Sequence, residues 1–316
     1  MMIDLLTYGA FFLITALSYG IICLGLNLQW GQTGLFNVGV AGFIAIGAYA
    51  SALLTTPDQA ERFGGFGLPM IAGWLVAAIA AGLCGAIVAG VTLRLRADYL
   101  AITTFGIATT IHLIALNAER LTGGPFGIGF IPRPFAGLEA QPLLFNLANL
   151  MLVAAVAFIV YFGVERLVRS PWGRVLRAIR EDETAALSLG KNVDYFRLQA
   201  FVLGSAIMGL GGAIQGHFIG FIAPDNYLPI LTFQIWAMLI IGGAGNNLGA
   251  LLGAIVVWGL WSFSGAALSA LVPPEHQARV AALRIVVIGI GLAAVLVLRP
   301  RGILGERIVV SRFLRN

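Results

Sequence analysis

Few residues in this chain are of types that could do chemistry. The three histidines, His112, His217 and His276, share no helical spacing that would gather them around a metal ion. The two cysteines, Cys23 and Cys84, lie in apolar runs with neither metal-ligand spacing nor a disulfide framework. No Ser-His-Asp order, carboxylate pair or cysteine nucleophile stands in a plausible site. We therefore expect no catalytic residue, no metal and no cofactor in this chain.

One charged cluster stands out, at residues 170–190, which read SPWGRVLRAIREDETAALSLG. Charge at this density cannot lie in hydrocarbon, and its basic excess favours the cytoplasmic face of a membrane. Ser170 and Pro171 are typical of a helix start, and Gly190 of a helix end. Between Pro171 and Gly190, apolar residues alternate with charged ones. The sequence predicts one helix that lies along the membrane and inserts into a soluble partner, or alternatively an ordinary interfacial helix.

The elements that must position this helix are strongly apolar. Of the 316 residues, 59% are hydrophobic and 10% are charged, whereas soluble domains carry roughly 25% charged residues. We therefore predict an all-α polytopic membrane protein with about eight or nine membrane segments, some of them short or broken. The apolar runs lie at about 5–28, 33–54, 68–93, 98–118, 143–165, 197–216, 230–243, 248–271 and 279–298.

Two of these runs are irregular. The run 230–243 is short for a span of about 20 residues, and the run 33–54 is rich in glycine and interrupted by Asn37. Irregular backbone is tolerated at membrane depth only beside protein or water, so segments of this kind often line a pathway.

The run 98–118 is unusually polar, and it contains His112. Thr103, Thr110 and Asn117 are seven residues apart and therefore share one helix face. This face either bonds to neighbouring helices or lines a pathway. The same two interpretations apply to other polar residues in apolar runs, namely Asn37, Gln199, Gln215 and Gln234.

The basic residues predict the orientation. With the cluster 170–190 in the cytoplasm, alternating spans place most arginines on the same side, and only Arg62, Arg120, Arg133 and Arg279 fall opposite. The N-terminus is then outside, as a retained span rather than a signal peptide. The basic tail 299–316 is cytoplasmic and attracted to anionic lipid. This topology accounts for the net charge of +5 better than nucleic-acid binding does.

The outer loop, about 119–142, is rich in glycine and proline, which predicts a tight connector without a regular helix. It either docks a partner outside the membrane or simply covers the span ends. No Asp or Glu lies within a predicted apolar core, and Arg284 is the one clearly charged residue there. Ion-driven carriers usually bury carboxylates, so we expect an external energy source. A phosphate loop is missing, and GGAGNNLG at 242–249 predicts a tight cytoplasmic turn instead of a dinucleotide site.

Several motifs resemble those of the branched-chain amino-acid permease family of ABC importers. ETAALSLG at 183–190 resembles its EAA loop, within WGRVLRAIREDETAALSLGKNV. Further matching blocks are LNLQWGQTGLFNVGVAGFIAIGAYA at 26–50, LRLRADYLAITTFG at 93–106, LTGGPFGIGFIPRP at 121–134 and GGAGNNLGALLGA at 242–254. The block at 121–134 is similar to the M-subunit (LivM-type) branch. Residues 36–40 depart from the family's commonest first block.

The resemblance implies one permease domain over 1–316 in the bacterial inner membrane, with a cytoplasmic coupling loop at about 167–196. Its partners would be a second, similar permease subunit, two cytoplasmic ATPase subunits that use the ATP, and a periplasmic binding protein. The implied ATPase-coupling residues are Arg177, Arg180, Glu181, Glu183, Ala185, Ala186 and Gly190. The pathway candidates are Asn37, Thr103, Thr110, His112, Asn117 and Gln215. The expected substrate is a branched-chain amino acid. The alternatives are urea or a short amide, or a self-sufficient secondary carrier.

Overall fold

The computed structural model describes residues 2–58, 63–93, 95, 97–271, 286, 289, 290, 294 and 302–306. Its helices are α1 Met2–Gln29, α2 Val40–Thr55, α3 Met70–Thr92, α4 Ala97–Asn117, α5 Glu119–Thr122, α6 Pro142–Arg169, α7 Pro171–Glu181, α8 Glu183–Ser188, α9 Val193–Ile219, α10 Pro229–Gly242 and α11 Asn247–Leu271. Short 3-10 turns lie at Gly124–Phe126, Ala136–Leu138 and Pro224–Tyr227. The predicted all-α class is confirmed.

Six of the helices, α1, α3, α4, α6, α9 and α11, are long and apolar enough to cross a membrane, while α2 and α10 are shorter. The prediction of a polytopic membrane protein is therefore confirmed. Most of the predicted run at 279–298, including Arg279 and Arg284, and residues 299–301 and 307–316 of the tail lie outside the described residues.

Helix α9 is the centre of the bundle, because it packs against α1, α2 and α3. Close approach depends on small residues at the crossings. A methyl group on Gly47 of α2 would collide with the backbone of Gly209 in α9, and one on Gly25 of α1 would meet the carbonyl of Gly204. Between these crossings, Phe43 and Phe201 are fully buried with ring centroids 5.6 Å apart. The glycines thus place α9 where its two ends hold the loops described below.

The run 33–54 is broken at Asn37, where the sequence marks an interruption. Helix α2 starts only at Val40, and residues 35–39 run without regular structure from the turn after α1. Asn37 gives the physical reason, because its side-chain oxygen accepts a bond from Gly39 N at 2.7 Å and so competes with helical bonding. The membrane segment is therefore broken where the sequence carries Asn37.

Candidate functional site

The charged cluster 170–190 forms two helices and not the single helix predicted. Helix α7 ends at Glu181, and Asp182 adopts an extended conformation (φ −153°, ψ 102°). The Asp182 carboxylate accepts a bond from Ala185 N at 2.9 Å and caps α8. Pro171 lies in the first turn of α7 as predicted, and Gly190 follows α8 with φ +73°. The Ser170 hydroxyl does not cap α7, since it donates to Leu167 O at 2.6 Å.

One side of α7 and α8 is anchored on the membrane helices. Leu176 is fully buried in a cluster with Leu28 of α1 and Ala200 of α9. Ile179 of α7 packs with Ala186 of α8 and with Val193 at the start of α9. Ala186, one of the predicted coupling residues, therefore contacts the permease body. This apolar side holds both helices in place. Their other side is open.

The open side carries most of the other predicted coupling residues. Glu181, Glu183, Ala185 and Gly190 are exposed, and Arg177 is half-buried. The Glu183 carboxylate receives two bonds from the Arg197 guanidinium of α9, at 2.8 and 2.9 Å. Leu187 and Leu189 are also exposed, at 53% and 78%. The result is a mixed charged and apolar surface, which suits a groove on a soluble protein.

Arg180 points away from this surface, towards the membrane helices. Its Nη2 donates to both carboxylate oxygens of Glu306, at 2.9 and 2.8 Å, and its Nη1 donates to the Gly31 carbonyl at the end of α1. The side chains of Arg180 and Glu306 are 22% and 32% exposed. Sequence reasoning could not foresee this direction, because the partner lies 126 residues away.

The turn between α10 and α11 lies beside this pair, and its tight form agrees with the prediction. Gly245 N donates to Asn27 Oδ1 at 2.8 Å, and Gly245 O accepts from Gln32 Nε2 at 2.8 Å. Asn27 Nδ2 donates to Asn247 Oδ1, and Asn247 Nδ2 donates to Glu165 Oε2 at 2.7 Å. Asn27 and Asn247 are buried. Buried amides in apolar runs were the sequence signal for this network, which joins the ends of α1, α6 and α11.

The broken segment 35–39 and the first turn of α2 are held by side chains from two other helices, α4 and α10. Val38 N donates to Thr104 Oγ1 of α4, and Ala41 N donates to Thr232 Oγ1 of α10, both at 3.0 Å. Trp236 Nε1 of α10 donates to Asn37 O at 3.0 Å. Backbone groups freed from a helix need such partners inside a membrane. Thr104 and Thr232 were not predicted as site residues, although both are buried and hold the backbone at this break.

Asn37 also connects the broken segment to α9. Its Nδ2 donates to Gln29 Oε1 at 2.8 Å, and Gln29 Nε2 donates to Phe201 O at 2.8 Å. Beside the segment lie three aromatic rings, those of Trp30, Phe36 and Trp236, with centroids 4.8 to 5.3 Å apart. This aromatic cluster packs around the end of α1, the broken segment and α10 at the same place.

The six predicted pathway residues have separate surroundings. His112 Nδ1 donates to Pro224 O at 3.1 Å, and Gln215 bonds to the Tyr19 side chain. Asn37 is fully buried in the broken segment. The remaining three, Thr103, Thr110 and Asn117, lie on α4.

Thr110 and Asn117 face outward from this chain. Both are exposed, and they donate to carbonyls of their own helix, Gly106 O and Leu113 O, at 2.9 and 2.7 Å. Within the described residues, both side chains thus bond to α4 itself. The opposite face of α4 is buried at Thr104. A polar stripe therefore remains on the open side of α4.

The loop 119–142 is ordered at the other end of α9. It contains one turn of helix, α5, and an isolated antiparallel bridge between Ile128 and Ile222. His217 is 1% exposed; its Nδ1 donates to Pro132 O at 2.8 Å, so its Nε2 accepts from the Ser51 hydroxyl at 2.8 Å. Sequence reasoning gave His217 no role in a metal site and did not reveal this link.

Comparison with known proteins agrees with this architecture. Residues 9–296 match the family described as the permease component of branched-chain amino acid transport systems. The chain belongs to this family. It is a multi-pass membrane protein of the permease type, and its resemblance to the LivM-type branch is confirmed. No solved structure matches the chain.

Three relatives with assigned names span much of this permease. LivM, the high-affinity branched-chain amino acid transport permease of Escherichia coli (strain K12), is 34% identical over 76% of this chain and 59% of its own length. The chain therefore spans about three fifths of that relative. LivH of the same organism is 26% identical over 92% of both chains. The guanosine ABC transporter permease NupQ of Bacillus subtilis (strain 168) is 30% identical over 80% of this chain and 78% of its own.

Proposed function

We propose that this chain is one of two permease subunits of an ABC importer for branched-chain amino acids in the bacterial inner membrane. The observation that carries the proposal is the two-helix unit α7–α8, anchored by Leu176 and Ile179 with its other side open. A membrane protein that exposes Leu187 and Leu189 beside carboxylates presents a docking surface for a soluble partner.

The soluble partner in this proposal is a cytoplasmic ATPase subunit, which binds and hydrolyses the ATP. Glu181, Glu183, Ala185 and Gly190 would lie in its groove, with Arg177 at the edge. The permease itself holds no cofactor and does no chemistry. Closure of an ATPase dimer would push α7–α8, and the pathway would change from inward-facing to outward-facing.

The second permease subunit would cover the open side of α4. Thr103, Thr110 and Asn117 would then face the pathway between the two subunits, where dipoles can solvate the charged ends of an amino acid. Similarity to both LivM and LivH of one organism supports a pair of related permeases. The ordered outer loop 119–142 would receive a periplasmic binding protein.

A second candidate function is nucleoside uptake by the same machinery. The similarity to NupQ favours it, since that relative is named for guanosine transport and is covered over 78% of its length. The names of LivM and LivH and the similarity to them favour a branched-chain amino acid. Urea and a secondary carrier have no such support.

The orientation in this proposal puts α7–α8 and the C-terminus in the cytoplasm and the N-terminus outside. A cysteine at Arg177 should then be shielded from an impermeant thiol reagent added to intact cells. A cysteine at Glu139 in the outer loop should label, and both should label in opened membranes. Labelling of position 177 from outside would reverse the orientation.

Uptake into vesicles that hold the complete complex tests the substrate. With the binding protein outside and ATP inside, we expect uptake of labelled leucine, isoleucine or valine. Labelled guanosine and urea, tested in parallel, should not accumulate. Guanosine uptake without any amino-acid uptake would replace the first candidate by the second.

A further inference from the structure

We propose that the ion pair between Arg180 and Glu306 is the strut that passes movement of α7 to α1 and α10. The inference rests on the proposed function, because movement of α7 has a meaning only if an ATPase drives it. It assigns Arg180 a positioning role inside the permease, distinct from contact with the ATPase.

The hydrogen bonds of Arg180 connect α7 to two other parts of the chain. The Arg180 guanidinium donates to both oxygens of Glu306 and, through its other terminal nitrogen, to the Gly31 carbonyl. A planar guanidinium whose two terminal nitrogens bond to different segments is fixed in orientation as well as in distance. One side chain of α7 thus holds two separate chain segments.

Two turns are built around the pair. Gly34 has φ +76°, and a methyl group there would lie 3.1 Å from Arg180 Cγ. Gly245 has φ +86°, and a methyl group there would lie 3.1 Å from the Glu306 carboxyl carbon. Both positions favour glycine by conformation and leave little room for a side chain. A glycine turn therefore packs closely against each of the two side chains, Arg180 and Glu306.

From Glu306 the connection continues into α10. The backbone of the same segment donates from Ile303 N to Ile241 O at 2.8 Å and from Leu304 N to Gly242 O at 3.0 Å. These bonds use carbonyls at the end of α10 that an isolated helix would leave without partners. A displacement of Glu306 would therefore be passed through these bonds to the last turn of α10.

From Gly31 the connection continues into the aromatic cluster. Gly31 follows Trp30 directly, and Trp30 contacts both Phe36 of the broken segment and Trp236 of α10. The connection through Gly31 and the connection through Glu306 and α10 thus both lead to the aromatic cluster beside the broken segment. Displacement of α7 would reach that segment from two sides.

Apolar packing connects α7 with the membrane helices by another route, which includes Leu28 of α1 through the cluster of Leu176. Among elements with several contacts in the described structure, α7 packs on α6, α8 and α9. Next to the pair, a cavity of about 750 Å³ is lined by residues that include Glu165, Arg177, Asn247 and Glu306. The cavity lies beside Glu306, one member of the pair. Loss of the pair should leave α7 anchored by Leu176 while its connections to the turn after α1 and to α10 are interrupted.

The test uses the whole complex in vesicles, with ATP hydrolysis and uptake measured in the same sample. For Arg180→Ala and Glu306→Gln we expect the ATPase subunits to copurify and to hydrolyse ATP, while amino acid transported per ATP falls about tenfold. The exchange Arg180→Glu with Glu306→Arg restores the ion pair but not the bond to the Gly31 carbonyl, because a carboxylate cannot donate, so it should recover part of the wild-type ratio. Arg169→Ala is the control, because the Arg169 side chain is 72% exposed and pairs with Glu165 one turn earlier in α6, and its ratio should be unchanged.

The other outcomes would contradict either the strut or the proposed function. A wild-type ratio in Arg180→Ala would show that there is no strut. Loss of the ATPase subunits from both single variants would make Arg180 a docking residue instead, and the proposal would be wrong. No recovery at all by the exchange, compared with either single variant, would show that the two charges do not act as a pair. If the wild-type complex shows no ATP-driven uptake, the proposed function fails, and that result is separate from all of these.

Discussion

The two ends of α9 hold their neighbouring loops in different ways. At its start, α7–α8 rests on an apolar side and on side-chain ion pairs, with its other side open. At its end, about 40 Å away for 27 residues, the loop 119–142 is held by the Ile128–Ile222 bridge and by His217. Backbone bonds fix a loop, whereas a hinged amphipathic pair can shift. Under the proposed function, movement would therefore enter at α7–α8, and the loop 119–142 would be a fixed rim.

The largest effect should follow from removing the anchor of α7. Leu176→Asp places a carboxylate in a fully buried position among Leu28, Val164 and Ala200. We expect ATP-driven uptake to fall at least about tenfold, because α7 can no longer lie on the membrane helices. Uptake in vesicles and copurification of the ATPase subunits measure this.

The matched substitution Leu189→Ala removes an exposed side chain and leaves the anchor in place. Its effect on thermal stability of the permease should be negligible, unlike that of Leu176→Asp. Near-normal uptake by Leu176→Asp would mean that α7 is not anchored as described.

A smaller and different effect should follow at the other end. His217→Ala leaves the Ser51 hydroxyl and the Pro132 carbonyl without their partner, which costs about 1–3 kcal/mol for buried groups. The melting temperature of the complex should fall by several degrees. Transport per ATP should stay at the wild-type value, because this end does not transmit movement.

The smallest effect belongs to the exposed pair of Arg133 and Glu139 in the same loop, with nitrogen and oxygen 3.4 Å apart. Glu139→Gln should change stability by less than about 1 kcal/mol and leave uptake unchanged. If His217→Ala uncoupled hydrolysis from uptake, the contrast between the two ends would be lost.

The sequence predicted the helices well where apolar runs are long and uniform. The runs at 143–165 and 197–216 correspond to α6 and α9, because burial of twenty apolar residues outweighs local preferences. In two places one polar side chain decides the backbone; the sequence marked the break at Asn37 but not the division of the helix 170–190. Asn37 delays the start of α2, and Asp182 divides the predicted helix 170–190, each through bonds to backbone amides nearby.

The site was only partly predictable for another reason. The open residues of α7–α8, such as Glu181 and Gly190, follow from the charge pattern and the resemblance to the family. The direction of Arg180 does not, because helical spacing cannot reveal a carboxylate 126 residues away. Nor could the sequence separate Thr104, buried against the broken segment, from Thr103 and Thr110 on the same helix. Long-range partners decide these roles.

The central claim is that energy enters mechanically at α7–α8, and the source of that energy tests it most directly. Vesicles that hold the permease pair, the ATPase subunits and internal ATP should take up leucine after proton and sodium gradients are collapsed. Omission of the ATPase subunits should abolish uptake under any imposed gradient. Gradient-driven uptake by the purified permease alone, without nucleotide, would contradict the account.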